Sequence, residues 1–258
     1  MKLYQKISLL ILLGFVVILA GLAGLFRVYS RTRFEDQVRQ DSLQKAELLD
    51  VAIDELTEKA LQVATLVASL EPVRNAYTAP TVSEGQEILA ETVVPLADAL
   101  ALNLGLDEYR IHFHRPPAIS FFRTWTERAG DDLSFFRQTI IEVERTQEPL
   151  RAVELGRGGF VVRGIVPVFA DGEFQGTLEN YYDSTDVAPF LDTGEESTGI
   201  VVLVNRRKAE SLFFQEDLET LFGGSVGSTL VSDITADWID VDALLNGALV
   251  DEAAEGGE

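Results

Sequence analysis

Between Tyr109 and Tyr182 every cationic side chain is an arginine: nine of the sixteen arginines fall there and none of the five lysines, beside ten acids. A guanidinium offers a planar, two-pronged donor that matches a carboxylate or phosphate, which an ammonium does not. The segment is therefore equipped either to grip a small anion or to pair its arginines with its own acids. Arg123-x-Trp125 is the sharpest local signal. A guanidinium fork suits a carboxylate, and an indole excludes water and stacks; the structural alternative is a core tryptophan beside a surface ion pair. Arg163 is a lone charge among Phe160, Val161, Val162, Ile165 and Val166. It must face either solvent or a partnered polar pocket, and Glu154 or Glu179 paired to it across a sheet serves equally well. Arg137 follows Asp131-Asp132, while Glu179, Tyr181 and Asp183 are placed to close a pocket. The candidate ligand-binding set is Arg123, Trp125, Asp132, Arg137, Arg163, Glu179 and Tyr181.

Other chemistries find less support. His112 and His114 alternate, so on a strand both share a face and could begin a zinc or haem site. No third ligand stands nearby at the right spacing, so neither metal nor cofactor is expected. Gly156-Arg157-Gly158-Gly159 has no Lys-Ser/Thr and no helix behind it, so it reads as a tight turn rather than a phosphate loop. The absence of cysteine excludes disulfides, thiolate metal sites and a cysteine nucleophile. No His-Glu-x-x-His occurs, and neither histidine has an evident serine partner. An enzyme is not expected. A net charge of −21 over 258 residues repels nucleic acid and anionic lipid.

The elements that must hold these residues can be read from periodicity. Ile7–Phe26 are twenty uncharged, almost wholly apolar positions. As a helix they reach about 30 Å, one crossing of a bilayer core, and the run is too long for a signal-peptide core. Ala20-x-x-x-Gly24 would allow close approach of two such helices, so a homodimer is expected. The stripe Ala46, Leu49, Ile53, Leu56, Ala60, Val63, Val67 and Leu70 steps by three and four, predicting one long helix that ends or kinks at Pro72. Ser83 with Gln86 suggests a capping box, opening a second helix through Ile88, Leu89, Val93, Leu96, Leu100 and Leu104, bent at Pro95 and stopped by Gly105. Short strands are expected over Tyr109–His114 and Ala118–Trp125. Asp131-Asp132 should open a helix carrying Leu133, Phe136, Ile140 and Val143. Strands over Arg151–Leu155, Phe160–Phe169, Phe174–Tyr181 and Gly199–Asn205 follow, with Asp171-Gly172 as a hairpin turn. Trp238–Val250 has a weak helical pattern before an acidic tail.

Ser69–Ala76, Ile111–Ala118, Phe121–Trp125, Gly130-Asp131-Asp132 with Phe136-Arg137, and Glu154–Gly159 followed by Arg163–Val168 together resemble the Cache sensory domains of bacterial chemoreceptors, sensor kinases and diguanylate cyclases, most of all the double-Cache branch, over roughly Val28 to Leu230. The resemblance implies an α+β fold, a PAS-like antiparallel sheet of five strands on a long helix rising from a transmembrane segment. It implies an extracytoplasmic domain on the inner membrane, anchored by a single pass through Ile7–Phe26. Arg123-x-Trp125 resembles the Arg-x-Trp of amino-acid-binding Cache domains, although Ile119, Ser120 and Thr126 stand where tyrosines are usual. A simple organic acid is therefore the expected small-molecule ligand. The expected organisation is an anchor over 1–27, long and second helices over 28–108, the sensory domain over 109–222 and an acidic extension over 223–258. The competing class is a ligand-free assembly module on the same anchor, which an apolar or collapsed pocket beside Arg123 would favour.

Overall fold

The longest apolar period becomes the longest element: α1 runs Leu3–Ala68. The computed structural model describes residues 3–156, 159–183, 201–205, 210, 224–226 and 229–234. The chain divides into two units, Met1–Val51 and Ala52–Glu258. In the first, every side chain from Leu12 to Phe26 is exposed. Among the described residues this is the one helix long and apolar enough to cross a membrane.

In the second unit the helical part of α1 from Ala52 is followed by α2 (Glu71–Tyr77), α3 (Val82–Leu104), β1 (Arg110–Arg115), β2 (Ile119–Arg123), α4 (Gln138–Thr146), β3 (Leu150–Gly156), β4 (Gly159–Ala170), β5 (Glu173–Asp183), β6 (Val201–Asn205), β7 (Gly224–Val226) and β8 (Thr229–Ile234). Five strands form one antiparallel sheet in the order β2-β1-β5-β4-β3, the α+β arrangement expected. β4 and β5 are joined at Asp171 and Gly172, with φ of 52° and 81°. Two left-handed residues are what a two-residue turn with the right twist requires, and Asp-Gly tolerates them best.

β4 is buried on both faces, and its alternation sorts the molecule into layers. Val162, Val166 and Val168 join Ile111 and Phe113 of β1 and Leu178 of β5 in a core with Leu56, Ala60, Ala64 and Val67 of α1 and Leu89 and Val93 of α3. A Cβ on Gly164 would lie 2.2 Å from the Leu61 nitrogen, so α1 rests directly on the β4 backbone. The expected stripe on α1 is buried in this core at Leu56, Ala60 and Val67, joined by Ala64 beside the half-buried Val63, while Ala46 is exposed. On the other face lie Arg163, His112, His114 and Glu179, covered by the β2–α4 connection and α4.

Four local expectations are corrected. α1 ends at Ala68, and Pro72 lies inside the first turn of α2, where a missing N–H is harmless. α3 is capped by Thr81, whose side chain accepts from the Glu84 N–H, not by Ser83; Gln86 instead donates to the Phe121 carbonyl at 2.9 Å, a tertiary contact that local capping rules do not see. Leu133–Phe136 form turns, and α4 begins only at Gln138. The carboxylates expected to cap it are engaged elsewhere. The strand expected over Gly199–Asn205 does not join the five-stranded sheet: β6 pairs with β8, and β8 with β7, in a separate antiparallel sheet. The helix expected over Trp238–Val250 lies outside the described residues.

Candidate ligand-binding cavity

The polar face of the sheet is built by strand period. On β1, Arg110, His112 and His114 alternate with Ile111 and Phe113 of the core. The ladders then place His112 opposite Glu179, Arg110 opposite Tyr181, and Arg163 opposite Tyr181. β2 adds Arg123 opposite His112, and β3 brings Glu154 opposite Val161. All five strands of the sheet so pool their charges on one surface.

At its centre is Glu179, with 0 % of its surface exposed. Its Oε2 accepts from Arg163 Nη1 at 2.8 Å and from Arg137 Nη2. His112 Nδ1 lies 3.1 Å from Oε1. Glu154 Oε2 completes a square, 3.3 Å from Arg163 Nε and 3.6 Å from Arg137 Nε. Burial opposes ionisation of Glu179, yet Arg137 and the two histidines hold it well below the usual carboxylate range. Glu154 goes the other way: burial raises it and Arg137 only partly offsets this. Burial also lowers both histidines, His112 most, so both rings are neutral near pH 7. Two guanidiniums and two carboxyl groups thus face one another beneath the surface.

Above them opens a cavity of about 580 Å³, lined by Arg110, Arg123, Arg128, Arg137 and Arg163, by Glu108, Asp131 and Asp183, and by His112, Trp125, Thr126, Leu133, Phe136, Val161 and Tyr181. Its aromatic wall is ordered edge to face, with Trp125 at 5.6 Å from the His112 ring and 5.5 Å from Tyr181. Arg163 stacks over Tyr181 at 5.5 Å. Arg123 forms a two-pronged pair with Asp131, both contacts 2.9 Å, and donates to the Arg128 carbonyl. Burial alone would raise Asp131, but Arg123 outweighs it and holds the carboxyl below its usual range. Arg110 pairs with Asp183 at 3.0 Å.

Of the seven residues singled out in the sequence, Arg123, Trp125, Arg137, Arg163 and Tyr181 line the cavity. Asp132 and Glu179 do not. Asp132 is exposed and accepts from the Ser134 N–H at 2.8 Å; its neighbour Asp131 takes the cavity position. Glu179 lies below the floor. Arg110, Arg128 and Glu108 were missed, although strand alternation with His112 pointed to Arg110. Both structural alternatives weighed for Arg163 hold together, since it pairs Glu154 and Glu179. A serine partner does exist: Ser120 Oγ is 2.9 Å from His112 Nε2, giving the connectivity of a Ser-His-Glu relay. Ser120 is buried and outside the cavity lining, and a histidine lowered by burial is a weak base, so no hydrolytic chemistry follows from it.

Several solved structures are similar to this chain. The sensor domain of the Vibrio cholerae histidine kinase DctB superposes with a TM-score of 0.50 at 10% identity, over 70% of this chain and 73% of that one. The Escherichia coli DcuS sensor domain gives 0.43 at 17% identity, over 55% of this chain and 98% of that one. The ligand-binding domain of the Campylobacter jejuni chemoreceptor Tlp3, in complex with L-norvaline, gives 0.39 at 12% identity, over 83% and 77%. No curated protein matches the sequence significantly. The family model for the double sensory domain of two-component sensor kinases, dCache_3, matches residues 39–233. With three quarters of its length inside that match and a five-stranded Cache sheet to carry it, the chain belongs to the dCache_3 family of sensory domains.

Proposed function

We propose that this chain is a membrane-anchored extracytoplasmic sensor domain whose cavity holds a small carboxylate-bearing molecule, as a signalling module rather than an enzyme. The observation that carries the reading is the cavity lining, five arginines against three carboxylates with an aromatic wall, in a chain whose net charge is −21. An assembly module would call for a collapsed or apolar space beside Arg123, and the space there is open and charged. Ile7–Phe26 serves as the anchor, with the domain outside the inner membrane and a second copy as the expected mate. Binding would act on α1 through β4, because Arg163 faces the cavity and the next residue, Gly164, touches α1. Only a ligand with different affinity for two positions of α1 can drive such a shift.

The test uses the full chain in detergent micelles, screened by thermal shift against mono- and dicarboxylic acids. An acid that raises the melting temperature should lose most of its effect in Arg123→Ala, since removing the partner of a desolvated carboxylate costs about 2–5 kcal/mol. Arg123→Lys should recover only part, because an ammonium lacks the planar fork. Asp131→Asn should bind the acid more tightly than the natural chain, because Asp131 occupies both prongs that the ligand needs. No stabilising acid, or full affinity in Arg123→Ala, defeats the proposal. For the location, an alkaline phosphatase fused after Glu258 should be active in cells and a cytoplasmic reporter silent; the reverse pattern would place the domain on the wrong side for a sensor.

A further inference from the structure

At and beneath the cavity floor, His112, His114 and Glu179 each offer one donor atom, and these atoms lie within 4.8 Å of one another. His112 Nδ1 and His114 Nε2 stand 3.1 and 3.5 Å from the same oxygen, Glu179 Oε1. Tetrahedral zinc with bonds of about 2.0–2.1 Å to its ligands separates neighbouring donors by about 3.3 Å, so two of the three edges already have that length. The division of labour on Glu179 leaves Oε1 available, since both guanidiniums sit on Oε2.

The outward-facing ring atoms are held as well. His112 Nε2 meets Ser120 Oγ at 2.9 Å, and His114 Nδ1 meets Thr177 Oγ1 at 3.0 Å. Metal-bound histidines are oriented in this way by a partner on the second nitrogen. His114 Nε2 is fully buried and makes no well-formed hydrogen bond, its facing oxygen being Glu179 Oε1 at 3.5 Å. A buried polar atom left in that state costs free energy.

We propose that His112, His114 and Glu179 form a binding site for a divalent transition metal, Zn²⁺ foremost. Two imidazoles and one carboxylate suit zinc or its borderline neighbours and disfavour calcium and magnesium, which need oxygen ligands. Binding on His112 replaces the proton at Nδ1, which moves to Nε2 and is donated to Ser120 Oγ. Three protein donors leave one tetrahedral position for water or an anion from the cavity that His112 lines. Both guanidiniums already hold Glu179 Oε2, so an anionic fourth ligand offsets the charge the ion brings.

The test is cobalt(II) titration of the chelator-stripped full chain in detergent, with no organic acid present. One equivalent should produce the intense visible absorption of tetrahedral cobalt, abolished by stoichiometric Zn²⁺ and unaffected by excess Mg²⁺. His114→Gln, with its fold checked by circular dichroism, should lose the absorption. Ser120→Ala keeps all three ligands and should weaken zinc binding about 10–100-fold through loss of the outer hydrogen bond, which keeps the test decisive if His114→Gln does not fold. Absence of cobalt absorption in the natural chain, its persistence in folded His114→Gln, or unchanged zinc affinity in Ser120→Ala overturns the site. Failure here leaves carboxylate binding at Arg123 standing, because the two are read in separate titrations.

Discussion

Glu179→Ala should be the most destabilising single substitution on the polar face of the sheet. It strands Arg163, 2 % exposed, and Arg137, 8 % exposed, with only Glu154 between them. Breaking a buried ion pair from one side costs about 3–5 kcal/mol, because the uncompensated charge stays desolvated. Against a typical total stability of about 5–15 kcal/mol, this brings the domain close to unfolding. Removing one charge of each sign is expected to hurt less. In Glu179→Met with Arg163→Met, Arg137 keeps Glu154 and the buried layer returns to neutrality. Urea denaturation of the single and double variants gives the coupling between the two positions. A Glu179→Ala protein that melts with the natural chain, or a double variant that is no more stable than the single one, would show that the square of charges contributes little.

Gly164→Ala should disrupt the seat of α1 on the sheet. The added Cβ would stand 2.2 and 2.3 Å from the Leu61 nitrogen and Cα, and 2.6 Å from the Ala60 carbonyl carbon. All three are backbone atoms, which cannot rotate aside as a side chain can. Overpacking a core costs about 1–3 kcal/mol and occasionally more, and a clash with a helix backbone belongs at or beyond the upper end. Because Arg163 precedes it on β4, the variant should also weaken any response of α1 to an acid in the cavity. By contrast, Gly21→Ala has nothing within 4 Å and should not lower the melting temperature. A Gly164→Ala protein with natural stability would mean that α1 does not rest on β4 as closely as described.

Local features were legible because they are written in neighbouring residues. The step of three and four along α1, the stop of α3 at Gly105 and the Asp171-Gly172 turn each depend on a few consecutive positions, and each appears in the fold. The misreadings share one cause. Asp131 and Asp132 look like helix caps to a local rule, but Arg123 claims Asp131 across a loop and Ser134 claims Asp132, so α4 starts later. Ser83 loses its cap to Thr81 while Gln86 reaches β2. The strand at Val201–Asn205 was real, but its partner β8 lies in a stretch with little pattern of its own.

The repertoire was legible from residue order alone: an apolar span, a helix with one buried stripe, strands with one polar face, and a middle segment rich in arginines and acids without a lysine. Within a strand, period two even fixes which residues share a face, so Arg110, His112 and His114 were bound to lie together. Which charge meets which was set by the packing of the strands. Arg163 had Glu154 and Glu179 as equal prospects and holds both; Arg123 had a ligand or an acid and holds Asp131; the two histidines lacked a third donor until β5 set Glu179 beside them. The physical reason is that ion-pair strength depends on distance through space and on exclusion of water. The order β2-β1-β5-β4-β3 sets both by joining strands that no local pattern connects.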